Sequence, residues 1–283
     1  MRAPALPGRL GALAEELGKM PAFFRRDLLS SWSYRMAFFG EWISLFLQVL
    51  VFGFVSRLIR PETMPSYGGE RVDYLAFVAV GLAITSFMQL GLGRVVSAIR
   101  QEQLMGTLEA ILMTPTTPST IQLGSVAWDL LYVPLRTVVF FGLVSGVLGV
   151  NMTWSGLLPS LVVLLAFIPF IWGLGVISAA GVVTFRRGTT IVGIGGILLT
   201  LASGAYFPVN VLPDWLQLVA RYNPITICLD TMRSALLGGT GWEGVWTTVG
   251  FTLPAAAVVL VVGTTSFNIA LRRERRRGSL GLY

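Results

Sequence analysis

Six apolar runs, at about 37–57, 74–96, 120–148, 157–184, 189–208 and 245–270, each approach or exceed the roughly 20 residues that carry a helix across a bilayer core. Lipid offers no water to pair free N–H and C=O groups, so such runs cross as helices that satisfy their own backbone. The expectation is an all-α integral membrane protein, with six transmembrane helices in a single membrane domain over 1–283. Composition agrees: 12% of the residues are charged, about half the share found in soluble domains.

The basic residues stand at the ends of the runs rather than along one polar face, which marks topology and not nucleic-acid binding, even at a net charge of +7. Six spans put both termini on one side. That side collects Arg2, Arg9, Lys19, Arg25, Arg26, Arg35, Arg94, Arg100, Arg186, Arg187, Arg272, Arg273, Arg275, Arg276 and Arg277, fifteen in all. The other side holds five: Arg57, Arg60, Arg71, Arg221 and Arg233. The basic side faces the cytoplasm, so both termini, with the basic tail 271–283, are expected there. Residues 1–20, interrupted by Pro4, Pro7 and Gly8, lack the apolar stretch of a secretory signal.

Several kinds of chemistry lack their residues. The chain has no His, a single cysteine (Cys228) and a single lysine (Lys19). Zinc sites built on His or Cys, Ser-His-Asp triads, Cys-His pairs and internal disulfides are therefore not expected. A phosphate-binding G-x-x-x-x-G-K-[ST] loop requires its lysine and the hydroxyl after it, but Lys19 is followed by Met20, and Leu13 stands where the leading glycine belongs. No catalytic residue, metal or cofactor is expected within the chain itself.

Between the runs, three segments have their own character. Residues 20–36 place Phe24, Leu28, Trp32 and Met36 four apart, with Arg26, Ser30 and Ser33 opposite. This describes an amphipathic helix at the membrane interface, a solvated helical N-terminus being the plainer reading. The stretch 204–238 is apolar, yet Pro208, Pro213 and Pro224 cut it into pieces too short to cross, which predicts a re-entrant or interfacial helical hairpin between the fifth and sixth spans. In the loop 99–115, Leu104, Leu108, Ile111 and Leu112 form an apolar stripe, and Thr114-Pro115 stops the helix. A helix of that kind buries its stripe against the membrane, its own bundle or a partner. The glycines of Gly142-x-x-x-Gly146 and Gly193-x-Gly195-Gly196 permit close helix approach, within one bundle or between two chains.

The 99–115 loop resembles the second cytoplasmic loop of type-2 permeases of ATP-binding-cassette exporters, drug and lipid branch, with its E-x-x-x-G-T-L-E-x-L-L-x-T-P pattern. Glu102, Gly106, Thr107, Leu108, Glu109, Leu112, Thr114 and Pro115 match, and Ile111 stands where Leu is commoner. The resemblance implies a coupling helix seated in a cleft of an ATPase subunit; a helix that merely anchors the loop is the alternative. A second likeness lies in Ser203-Gly204-Ala205-Tyr206-Phe207-Pro208, Leu212-Pro213-Asp214-Trp215-Leu216 and Asn223-Pro224-Ile225-Thr226, followed by Asp230 and Arg233. In the family this series is the hairpin that closes the outer mouth of the pathway. Phe207, Pro208, Pro213, Trp215, Asn223, Pro224, Asp230 and Arg233 are thus the candidate outer gate, or an outer cap without a gating role. Locally, Asn223 can cap a helix that Pro224 opens, Asp230 and Arg233 can pair at i,i+3, and Gly238 can end it.

By that resemblance the chain is a permease in the cytoplasmic (inner) membrane of a bacterium or archaeon. It would work as a homodimer or with a similar permease chain and dock on two copies of a P-loop ATPase subunit, which holds ATP and magnesium. Its substrate would be an amphiphile, a drug, lipid or glycolipid. Within the runs Glu41, Asp129 and Arg136 are ionisable, at about 3 kcal/mol each on insertion scales. Asp129 and Arg136 are two turns apart with Pro134 between them, and the three can form a structural polar network or a wetted pathway surface. The rival reading is a self-sufficient secondary transporter driven by an ion gradient, which would show embedded charge networks or broken helices near the midplane.

Overall fold

A computed structural model describes residues 29, 35–59, 64–105, 118–185 and 188–277. The interfacial helix expected over 20–36 lies almost wholly outside the described residues, as do 106–117, the pair 186–187 and the end of the tail from 278.

Eight α-helices occur among the described residues: α1 (Arg35–Ser56), α2 (Tyr74–Met105), α3 (Pro118–Leu148), α4 (Leu157–Thr184), α5 (Gly188–Ala202), α6 (Asp214–Arg221), α7 (Pro224–Leu237) and α8 (Val245–Arg277). Segments within α2, α4 and α8 are long and apolar enough to cross a membrane, and Trp42–Ser56, Tyr132–Leu148 and Gly188–Ala202 are shorter apolar helices. Each of the six overlaps one of the six apolar runs, and three of them are of spanning length. The fifth run departs from expectation: its helix stops at Ala202 instead of running to 208, because Gly204 turns the backbone into the left-handed region at φ 74°.

In lipid the helices gain little from shedding water, so packing holds them together, and small residues bring backbones close. The α4–α8 seam shows this. A Cβ on Gly173 would stand 2.9 Å from the Leu260 nitrogen, and one on Gly263 would stand 2.9 Å from the Gly173 carbonyl. At the α2–α4 seam Gly91 receives the Ile171 side chain, and Phe87 and Phe167 meet edge to face at 6.1 Å. Phe77, Leu82, Ile84, Met88, Leu164 and Ile171 form the core between these helices. Hydroxyls within the helices are satisfied locally: Thr137, Ser160, Thr184 and Thr200 each donate to the carbonyl four residues back, at 2.8–2.9 Å.

The outside is apolar as well. Phe39, Ile43, Leu47, Val51 and Phe54 form one exposed stripe along α1, and Val258, Val261, Val262 and Ile269 expose another on α8. A soluble monomer rarely displays such surface, whereas lipid or a second chain covers it without cost.

The connections gather at one end. A short antiparallel pair after α1, β1 (Ser66–Tyr67) and β2 (Glu70–Arg71), turns through Gly68 and Gly69 at φ 62° and 85°. Gly68 rests on the carbonyl of Gly238 beyond α7. The link from α3 to α4 arrives at the same place, where the Thr153 amide donates to the Leu236 carbonyl at 2.7 Å. Here a one-turn 3-10 helix (Trp154–Gly156) packs Gly156 directly on the Ala235 carbonyl. The segment between α5 and α8 thus sits among the ends of α1 to α4.

Candidate functional site

The segment 203–238 is built by strong local signals. The Ser203 hydroxyl donates to the Thr200 carbonyl at 2.7 Å, and Gly204 turns the chain. A 3-10 turn (Val209–Val211) follows, and α6 opens after Pro213. Asp214 in its first turn and Arg221 in its last complement the helix dipole, and the Gln217 amide donates to the Leu212 carbonyl at 2.7 Å, closing the entry turn. The apolar side of α6 remains open: Trp215, Leu218, Val219 and Tyr222 are exposed and only Ala220 is buried. Such a helix fits an interface between apolar and wet surroundings.

Helix α7 behaves differently. The Asn223 side chain accepts from the Ile225 amide at 3.0 Å, Pro224 occupies the first turn, and the Gly238 amide closes the end on the Ser234 carbonyl at 3.1 Å. Between those caps Ile225, Cys228, Leu229, Met232 and Arg233 are fully buried. Toward α8, the Thr231 and Thr248 hydroxyls meet at 2.6 Å, and the Cys228 sulfur lies 3.5 Å from the Thr252 hydroxyl.

Arg233 is the largest fully buried side chain, 1% exposed. Its Nη2 donates to the carbonyls of Gly204 and Ala205 at 3.1 and 3.0 Å, and its Nε to the carbonyl of Phe77 at 3.3 Å. The guanidinium carbon stands 3.4 Å from the centre of the Phe77 ring, and Nη1 lies 3.8 Å from the Asp230 carboxylate. Taking a guanidinium out of water costs several kcal/mol. Three carbonyls, a ring face and a carboxylate offset that cost here. Asp230 is itself half exposed and shares the same oxygen with the Tyr67 hydroxyl, which donates at 3.2 Å. Burial, and then the Asp230 carboxylate, push the Tyr67 phenol well above its ordinary range, so it stays a neutral donor. Nearby the Tyr74 hydroxyl donates to the Tyr206 carbonyl at 3.1 Å, and the Tyr206 ring stacks on Phe52 of α1 at 5.4 Å.

Of the residues singled out in the sequence, Pro224, Asp230 and Arg233 share α7 with Asn223 as its cap, and Asp230 and Arg233 pair. Pro208 is buried, Phe207 half-buried, and Pro213 and Trp215 exposed. The geometry around Arg233 also contains Tyr67, Phe77 and Gly81, which sequence reasoning did not single out, and Gly204 and Ala205, which it read only as part of the 203–208 motif. The signal for them was an arginine inside an apolar helix, which must find acceptors somewhere.

The second candidate region is partly visible. Glu102 falls in the last turns of α2, and Gly106, Thr107, Leu108, Glu109, Leu112, Thr114 and Pro115 lie outside the described residues. Of the intramembrane ionisable residues, Glu41 falls within α1 and Asp129 within α3. Arg136 is buried on α3, its guanidinium 5.8 Å from the Trp42 ring, beside a narrow cleft lined by Leu45, Ala83, Phe87, Val133 and Phe140 of α1, α2 and α3.

Known proteins bear on this arrangement. Nodulation protein J of Rhizobium meliloti (strain 1021) is 33% identical over 178 residues, 60% of this chain and 64% of that protein. Nodulation protein J of Rhizobium leguminosarum bv. viciae is 32% identical over 178 residues, 60% of this chain and 65% of that protein. The inner membrane transport permease YhhJ of Escherichia coli (strain K12) is 27% identical over 229 residues, 77% of this chain and 56% of that protein. The chain thus spans less than two-thirds of the length of these curated relatives. The model of the ABC-2 type transporter family matches residues 20–237, more than half of the chain and including both the 99–115 loop and all but the last residue of the 204–238 segment. This chain therefore belongs to the ABC-2 type transporter family.

Proposed function

We propose that the chain is the transmembrane permease subunit of an ATP-binding-cassette exporter in a bacterial or archaeal inner membrane, a single membrane domain over 1–283 with six spans and both termini cytoplasmic. A separate P-loop subunit, two copies per complex, binds ATP and magnesium and seats the 102–115 helix. A second permease chain, identical or similar, completes the pathway, and an amphiphilic substrate leaves between the two. The family match across 20–237, which takes in the coupling pattern and the hairpin together, carries this reading. The gathering of the α1–α2 and α3–α4 connections around α7 supports the six-span layout, since alternate connections then share one side. Residues 204–238 act as the outer gate of that pathway, with Glu41, Asp129 and Arg136 as a polar network within the spans.

The test is purification of the tagged chain from its native membrane in mild detergent. A soluble P-loop polypeptide is expected to co-elute in equal amount and hydrolyse ATP, and Glu109→Arg is expected to release it. Elution without any ATPase would overturn the exporter reading and bring the gradient-driven transporter forward. For the polar network, Glu41→Arg and Arg136→Glu are each expected to lower the yield of folded chain, and the double exchange to restore it. Equal yields of all three variants would remove the network.

A further inference from the structure

Three stretches that are far apart in the chain meet at one side chain. Arg233 on α7 reaches the first turn of α2 through the Phe77 carbonyl and ring, and the turn after α5 through the Gly204 and Ala205 carbonyls. The acceptors are backbone groups, so the contact reports where the three main chains lie. The same stretches also touch without it: Gly81 of α2 lies so near the Ala205 carbonyl that a Cβ cannot fit between them. A fourth stretch joins from above, where Gly68 of the 64–71 turn rests on Gly238 and Tyr67 donates to Asp230. A lid that swings open is drawn from segments whose contacts are few and readily replaced by water. This seam has the opposite character, because opening it would strand a buried cation and the carbonyls it pairs with.

We propose that Arg233 is a positioning residue that fastens the 204–238 hairpin to α2, so that the hairpin, the 64–71 turn and α2 travel as one body rather than the hairpin opening as a lid. Calling that motion part of a transport cycle rests on the permease reading above; the fastening does not.

Hydrogen exchange read by mass spectrometry on the full chain in lipid nanodiscs, alone and with its ATPase subunit, tests this. In the wild type the peptides covering 204–211 and 224–237 are expected to exchange equally slowly in the ATP-free complex and after trapping with ATP and vanadate. Arg233→Met is expected to speed exchange of 204–211 and of the first turn of α2 by about tenfold or more, leaving the centre of α4 unchanged, with Arg233→Lys in between. A purely stabilising role would instead raise exchange throughout the bundle. If Arg233→Met does not assemble, Gly81→Leu serves, since it wedges the Ala205 turn off α2 and leaves the arginine in place; the same local rise is expected. Fast exchange of the hairpin in the trapped wild-type complex, or slow exchange in both variants, overturns the proposal. If no vanadate-trapped complex forms, the permease reading fails, while wild type against Arg233→Met still decides the fastening.

Discussion

A cap residue, a tyrosine hydroxyl and a glycine illustrate how differently single side chains contribute to this fold. The Asn223 side chain satisfies one amide at the start of α7, and Asn223→Ala is expected to lower unfolding stability by about 1 kcal/mol. Tyr67→Phe removes the donor to Asp230 and is expected to cost a comparable amount, about 1 kcal/mol. Gly156→Val should do more harm than either, because its side chain must enter the space held by the Ala235 carbonyl, and overpacking of that kind costs about 1–3 kcal/mol or more. Thermal unfolding of the detergent-solubilised chain ranks the three, and a Gly156→Val protein as stable as Asn223→Ala would show that the α4 entry shifts freely.

At the scale of elements, the helices were legible where the cause is local. Apolar length set the ends of α4 within the run read from the sequence, and Asn223, Pro224 and Gly238 bound α7 where their chemistry places caps. The i,i+3 pairing of Asp230 and Arg233 was legible for the same reason. What was not legible depends on distant chain: the Arg233 acceptors Phe77, Gly204 and Ala205 are 156, 29 and 28 residues away, and no local spacing encodes them. The early stop of α5 lies between these cases, since Gly204 was visible but its left-handed backbone was not. Two glycines separate the roles. Gly204→Ala must hold a side chain at φ 74° and is expected to destabilise by about 1–2 kcal/mol. Gly142→Ala, in mid-helix with nothing within 4 Å, is expected to be neutral or to stabilise by up to about 1 kcal/mol. Stability measurements that show a clear loss at Gly142 would mean that a helix from another chain packs there.

For the whole molecule, orientation is the property that the charge distribution speaks to most directly. Fusions of a reporter active only in the cytoplasm, placed after Arg187 and after Tyr283, are expected to be active, and one placed after Gly149 inactive; activity at Gly149 would overturn the six-span arrangement. Helix α2 bears on how such an assembly moves. Its 32 residues extend about 48 Å at 1.5 Å per residue, against a bilayer core of about 30 Å. No proline interrupts it. One end runs into the stretch that carries the coupling pattern, and the other holds Phe77 in the grip of Arg233. Under the proposed fastening the helix is an unbroken rod with a load fixed at its far end, and a thrust applied near Met105 is expected to reach the hairpin without passing through a joint.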